Sequence, residues 1–261
     1  MPTTDHPRHA ESPRSPDPSG SFVVTSWNIR HGGGAQRMGA IVLEILATTP
    51  DLVLLTECRR TTLGQIAAAL ADHGLNQRAE SMPPDTGNGT FLAGRCRVEQ
   101  VGPVPPGVPP GRWLHARVPD LDLEVLGVHI PDARRPTERA ACWQGVLTAA
   151  RASPGSPLLI IGDLNTGRHM QDEPGRTFTN TAMLGQLASL GYVDGWRHLH
   201  PGEREFSWFS HAGRGFRIDH ALCAPALRGR LVDARYVHHV RRDGLSDHAA
   251  LTVTLRMSPR A

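Results

Sequence analysis

Short apolar runs of strand length recur along the chain. They are FVVTSW at 22–27, DLVLLTE at 51–57, TFLAG at 90–94, LEVLGVHI at 123–130, LLIIGDLN at 158–165, RIDHALC at 217–223 and ALTVTLR at 250–256. Helical patterns lie between several of them, at Met38–Ala47, Thr62–Asp72, Pro136–Ala152 and Thr181–Leu190, the last followed by Gly191 as a helix C-terminus requires. The segments 90–94, 97–101 and 112–118 follow one another without a helix, joined partly by the turn-rich PVPPGVPPG at 103–111. A purely parallel, doubly wound sheet does not fit that order. The pattern predicts an α/β domain in which two packed mixed sheets are flanked by helices. Residues 1–20, rich in Pro, Ser and charge with little to bury, have the composition of a disordered tail. A single folded domain is therefore expected over 21–261.

Composition narrows the chemistry. With 39% hydrophobic residues among 261, the chain can bury a substantial core. A net charge of +3 permits a nucleic-acid partner without requiring one. All 28 basic residues are Arg, so enzymes built on a Schiff-base, cofactor-anchoring or phosphate-loop lysine are excluded. The guanidinium fork, by contrast, suits phosphate. Cys58, Cys96, Cys142 and Cys223 are dispersed without a C-x-x-C pair and read as small buried hydrophobes. With no apolar leader and no run approaching the ~18 residues that span a bilayer, the expectation is a cytoplasmic monomer without a transmembrane segment.

Polar residues with chemical capacity fall repeatedly at strand ends. Asn28 follows the first run, Glu57 ends the second, His129 sits near the end of LEVLGVHI, Asp163 and Asn165 end LLIIGDLN, and Asp247–His248 precede the last run. Singly, each has an ordinary reading as a turn residue, a solvated ion-pair partner or a core histidine. Jointly they describe groups converging on one edge of a sheet core. The inventory suits phosphoester hydrolysis assisted by a hard cation. Glu57 and the Asn28 amide oxygen would offer oxygen ligands to Mg²⁺, with Mn²⁺ as a substitute. Asp163 would orient or deprotonate water, and His248 held by Asp219 would stay protonated beside the phosphoryl oxygens.

At these residues the sequence resembles the endonuclease/exonuclease/phosphatase superfamily. The matching segments are T-S-W-N at 25–28, D-L-V-L-L-T-E at 51–57, G-V-H at 127–129, G-D-L-N at 162–165, R-I-D-H at 217–220 and S-D-H at 246–248, in the family's order. The resemblance implies a four-layer α/β/β/α sandwich. It implies that Asn28 and Glu57 bind metal with a contribution from Asp247, that Asp163 orients water, that Asn165 binds phosphate, and that His248 supported by Asp219 faces the scissile group. His129 falls where exonuclease III-like members carry Tyr and deoxyribonuclease I-like or phosphatase-like members carry His. The carboxylate that supports such a histidine is open between Glu80 and Asp85. Trp208, within Phe206-Ser207-Trp208-Phe209, reads either as core or as the wall of a substrate pocket.

Three functions follow as expectations. The first is a nuclease acting on DNA or RNA; the second is a phosphatase or phosphodiesterase of a small metabolite or lipid headgroup; the third is an inactive binding module of the same fold.

Overall fold

The computed structural model describes residues 20–152 and 154–257, so the predicted tail at 1–20 lies outside the described residues except for Gly20. In chain order the strands are β1 (Ser21–Asn28), β2 (Leu52–Cys58), β3 (Gln77–Ser81), β4 (Gly89–Gly94), β5 (Glu99–Gln100), β6 (Trp113–Val118), β7 (Leu123–His129), β8 (Leu158–Asp163), β9 (Val193–Asp194), β10 (Trp208–Phe209), β11 (Gly215–Phe216), β12 (Asp219–Cys223), β13 (Leu231–Val237) and β14 (Ala250–Arg256). The helices are α1 (Gly34–Ala47), α2 (Arg60–Ala71), α3 (Pro136–Ala152), α4 (Thr181–Ser189) and the short α5 (Gly195–Leu199), α6 (Pro225–Arg228) and α7 (His239–Arg242).

Two six-stranded sheets carry the fold, ordered β13-β14-β1-β2-β4-β3 and β5-β6-β7-β8-β12-β9. Each contains one parallel pair, β1 with β2 and β7 with β8, bridged by α1 and α3 respectively; the other pairings are antiparallel. Both sheets are mixed, as the helix-free order of the middle segments predicts.

The layering follows from how the apolar runs split by parity. In β2, Leu52 and Leu54 enter the cluster between the sheets, while Val53 and Leu55 enter a second cluster with Ile41, Ile45 and Ile66 of α1 and α2. In β8, Leu159 and Ile161 face the inter-sheet core, whereas Leu158 and Ile160 pack on Trp143, Val146 and Leu184 of α3 and α4. A strand buried on both faces must be apolar at successive positions, which is why these runs do not alternate. Burial of each such Leu or Ile contributes about 1.5–3 kcal/mol. The result is helices, sheet, sheet, helices.

The sheets approach closely where β7 crosses β2, since a Cβ at Gly127 would run into Leu54 Cδ1. α3 spans the residues expected of it, and α4 ends as its sequence predicts. Gly191, at φ +86°, donates to Ala188 O and Tyr192 donates to Leu187 O, the paired bonds of a Schellman cap. α1 instead begins at Gly34, four residues before Met38. β13 has no counterpart among the predicted strands: as an edge strand it keeps Asp233 and Arg235 among its apolar residues. No helix among the described residues is long and apolar enough to cross a membrane.

Candidate active site

Strand register brings the candidate residues together. Asp163 pairs with His129 of β7 on one side and with Asp219 of β12 on the other, so the three stand in a row at one end of adjacent strands. Gly162, at φ +138°, precedes Asp163; a Cβ there would strike the Val128 carbonyl oxygen, so the close packing at this strand end needs glycine. From the facing sheet come Asn28 at the end of β1, Glu57 in β2, and Asp247 and His248 just before β14. Contacts between these residues then cross between the sheets. Asn28 Nδ2 donates to Asp163 Oδ2 (3.1 Å), His248 Nδ1 bonds Asp219 Oδ2 (2.9 Å), and His129 Nε2 lies 3.8 Å from Glu57 Oε1.

Backbone irregularities aim two of these groups. The β2–β4 register shifts between Thr56 and Cys58, leaving Glu57 as the extra residue of a bulge with φ +58°. A bulge redirects the side chain that a regular strand would have placed in a sheet face. Glu57 then accepts from the His31 backbone N–H (3.1 Å) and from Asn28 Nδ2 (3.2 Å). Asn165, at φ +48°, donates from Nδ2 to Ile130 O (2.9 Å) and, more weakly, to Asp163 Oδ2 (3.3 Å). Its backbone N–H donates to Asp163 Oδ1 (2.9 Å). Asn28 turns its amide nitrogen to the carboxylates. Its Oδ1, assigned to the metal from sequence, accepts the Arg30 backbone N–H (3.0 Å) and keeps one lone pair.

The serine of S-D-H locks the other half of the site. Ser246 Oγ donates to Asn28 O (2.6 Å) and accepts the His248 N–H (3.2 Å), and Trp27 Nε1 donates to His248 O (3.0 Å).

Electrostatics divide the roles. Burial opposes charge on His248, but Asp219, through its charge and hydrogen bond, together with Asp163 raises its pKa to about 10. His248 is a cation at neutral pH. Burial raises the Asp163 pKa to about 7; the His248 charge opposes this, while Asp219 and Glu57 reinforce it. Burial, then the charges of Arg112 and His248, hold the His129 pKa well below the usual range, so that ring is neutral. Asp163, Asp219 and His248 offer ligand atoms within 4.8 Å of one another. A protonated imidazole bonded to a carboxylate offers no lone pair, so this trio is a charge relay around Asp163 rather than a complete metal site.

A cavity of about 360 Å³ opens at this edge, lined by Glu57, His129, Asp163, Asn165, Trp208 and Asp247 among others. Of the carboxylates gathered here, Asp219 is matched by His248, whereas Glu57 and Asp247 face the cavity with side chains 17% and 42% exposed. Crowded oxygen donors beside an elevated Asp163 fit a hard divalent cation. Trp208 is half-buried, lines the cavity and donates from Nε1 to Asp247 Oδ2 (3.3 Å). The structure thus puts it on a pocket wall as well as against Phe216. Asp85 accepts from Gly87 N in its own loop and Glu80 is exposed; the carboxylates beside His129 are Glu57 and Asp163.

Sequence reasoning missed several contributors. Arg112, Arg134 and Arg135 also line the cavity, and nothing in their spacing marks them. In R-I-D-H, Asp219 joins the site through His248 and Ile218 lines the cavity, whereas Arg217 and His220 turn away from it. Arg217, fully buried, donates to Asp194 (3.0 and 2.8 Å) and Asp172 (2.8 Å), and His220 bonds Asp194 Oδ2 (2.8 Å) and Thr166 O (2.9 Å). This buried network ties β12 to the loop after β8. Burial disfavours charge in both partners, yet the mutual attraction of Arg217 and Asp194 holds the Asp194 pKa well below its usual range and that of Arg217 well above.

Comparisons with known proteins bear on the fold and the family. Among curated proteins none matches. Among solved structures, the chain is similar to a 3′ phosphatase, NExo, from Neisseria bound to product DNA hairpin (24% identity, 89% of this chain and 98% of that one, TM-score 0.71). It is similar to a 3′-5′ exonuclease, NExo, from Neisseria meningitidis (24%, 89% and 98%, TM-score 0.72) and to an AP endonuclease from Archaeoglobus fulgidus (19%, 90% and 99%, TM-score 0.72). At these identities the likeness establishes the fold. The pattern defining the Endonuclease/Exonuclease/phosphatase family matches residues 25–248, from the strand that ends in Asn28 to His248 itself. Sequence pattern and architecture lead to one conclusion: the chain belongs to the endonuclease/exonuclease/phosphatase family and is a phosphoester hydrolase of that metal-dependent group.

Proposed function

We propose that the chain is a magnesium-dependent nucleic-acid phosphodiesterase that directs water onto phosphorus in the cavity between the sheets. The observation that carries this is the row His129, Asp163, Asp219 closed against Glu57 and protonated His248 of the facing sheet. Glu57 and Asp247, with the remaining lone pair of Asn28 Oδ1, would hold the ion. When bound, the ion supplies Lewis-acid polarisation of a phosphoryl oxygen and offsets the crowded carboxylates.

The side chains do the rest. Asp163, oriented by Asn28 and Asn165, takes the proton of the attacking water. His248, charged through Asp219, donates toward the phosphoryl oxygens. The weaker of the two bonds that Asn165 Nδ2 donates, the one to Asp163 Oδ2, is the one that can be exchanged for phosphate. Neutral His129 offers a ring N–H without adding charge. Arg112, Arg134 and Arg135 at the cavity and the Trp208 wall favour a polyanionic substrate carrying bases, and the similar solved structures are described as acting on or binding DNA or as an AP endonuclease. A second reading, hydrolysis of a small phosphate ester, is favoured by the cavity volume of about 360 Å³.

A magnesium-dependent panel separates the two. Plasmid, single-stranded and abasic-site DNA and RNA should be cut, steeply less well at higher salt, and chelation by EDTA should abolish cutting. Turnover confined to nucleotides, sugar phosphates or phospholipids would move the assignment to the second reading. Inactivity throughout would leave a binding module.

A further inference from the structure

Arg139, on the first turns of α3, is 3% exposed, and its hydrogen-bond acceptors are all neutral. Nη1 donates to Pro131 O (2.6 Å), Nη2 to Asn165 O (2.9 Å) and Thr179 O (3.2 Å), and Nε to Asn180 Oδ1 (2.7 Å). A guanidinium removed from water without a carboxylate partner is costly unless its donors are satisfied. Here they are satisfied by three separate segments. Pro131 lies two residues beyond His129, Asn165 two beyond Asp163, and Thr179–Asn180 lead into α4, with Asn180 at φ +64°.

The segments so joined are those that fix the site. Ile130 N donates to Asp163 O (2.9 Å), and Ile130 O accepts Asn165 Nδ2 (2.9 Å). Asn165 has left-handed backbone, a conformation that persists only where its surroundings hold it. Arg139 grips the carbonyl of that residue. A planar fork with five donors can span these acceptors at once; an ammonium cannot.

We propose that Arg139 is a positioning residue of the hydrolytic site, clamping the loops after β7 and β8 so that Asn165 and Asp163 keep the geometry the reaction needs. This rests on the reading of Asp163 and Asn165 as site residues given above.

The test begins without turnover. In the full-length protein, Arg139→Lys keeps the charge and loses the fork. Amide hydrogen exchange at Ile130 and Asn165 should accelerate at least about tenfold while amides of β1 are unchanged. Unaltered protection at both positions overturns the proposal. Should Arg139→Lys fail to fold, Asn180→Gly, which keeps the left-handed backbone and removes one acceptor, should show a smaller change in the same direction; unaltered protection there overturns it too.

With Mg²⁺ and bis(4-nitrophenyl) phosphate, Arg139→Lys should lose about 10²-fold in kcat with KM altered less than about threefold, as expected when reacting groups are misplaced. In an Asn165→Ala background the same substitution should add little, because its effect runs through Asn165. Full additivity, or wild-type kcat in Arg139→Lys, overturns the proposal. A wild-type protein inert to every phosphoester would count against the functional reading instead, and the exchange result would still decide the clamp.

Discussion

His248 owes its charge chiefly to Asp219, with Asp163 and Asp247 adding to the effect. Burial alone would lower its pKa, and these carboxylates, Asp219 foremost, reverse this to give about 10. A group raised in this way is active in its protonated form up to that pKa and loses function above it. Asp219→Asn removes the largest attraction and leaves the burial, so the alkaline limb of the kcat–pH profile should move down by about 1–3 pH units. An unmoved limb would mean that His248 is not the group titrating there. Asp219 and His248 were legible at the level of single residues because both sit in short motifs at strand ends. Arg139, Arg217 and Ser246 were not legible in their roles: an arginine in a helix or a serine before Asp-His carries no sign of which distant carbonyl it will reach.

At the scale of elements, strands and long helices follow from the apolar pattern, while irregular segments do not. The loop from Gly167 to Phe178 shows why. Its structure depends on buried Glu173, which accepts from Thr177 N (2.8 and 2.9 Å), Phe178 N (3.0 Å), Thr177 Oγ1 and His169 Nδ1 (2.8 Å). Burial opposes ionisation, yet these donors lower the Glu173 pKa from 4.5 to about 2. A depressed carboxylate adds stability that is present above its unfolded pKa and lost as pH falls toward the folded one. Glu173→Gln should therefore destabilise the protein by about 1–3 kcal/mol at pH 7, and the gap from wild type in denaturant melts should narrow between about pH 5 and pH 2. A gap independent of pH would show that the carboxylate charge is not what organises the loop. β13 escaped notice for a related reason: an edge strand needs apolar residues on one face only, so its pattern blends with that of a loop.

For the whole molecule, the spacing of the two sheets is the controlling dimension. It is set in part where Gly127 meets Leu54. Gly127→Ala should destabilise by about 1–3 kcal/mol through overpacking, and Leu54→Ala by about 2–5 kcal/mol through the cavity it leaves. The double variant should lose less than the sum, because the new methyl enters the vacated space; strict additivity in equilibrium unfolding would place the constraint elsewhere. The packed mixed sheets were legible from the order of apolar runs, since a chain with few helices between its middle strands cannot wind one parallel sheet. Which faces meet, and how closely, depends on side-chain volumes at crossings that sequence spacing does not reveal.

The contacts that cross between the sheets have a mechanical corollary. Asn28, Glu57 and His248 ride on one slab, and His129, Asp163 and Asp219 on the other, so the site behaves as the jaws of a caliper. Anything gripped by both jaws is also a rivet across the joint, and sliding the slabs apart would have to shear it.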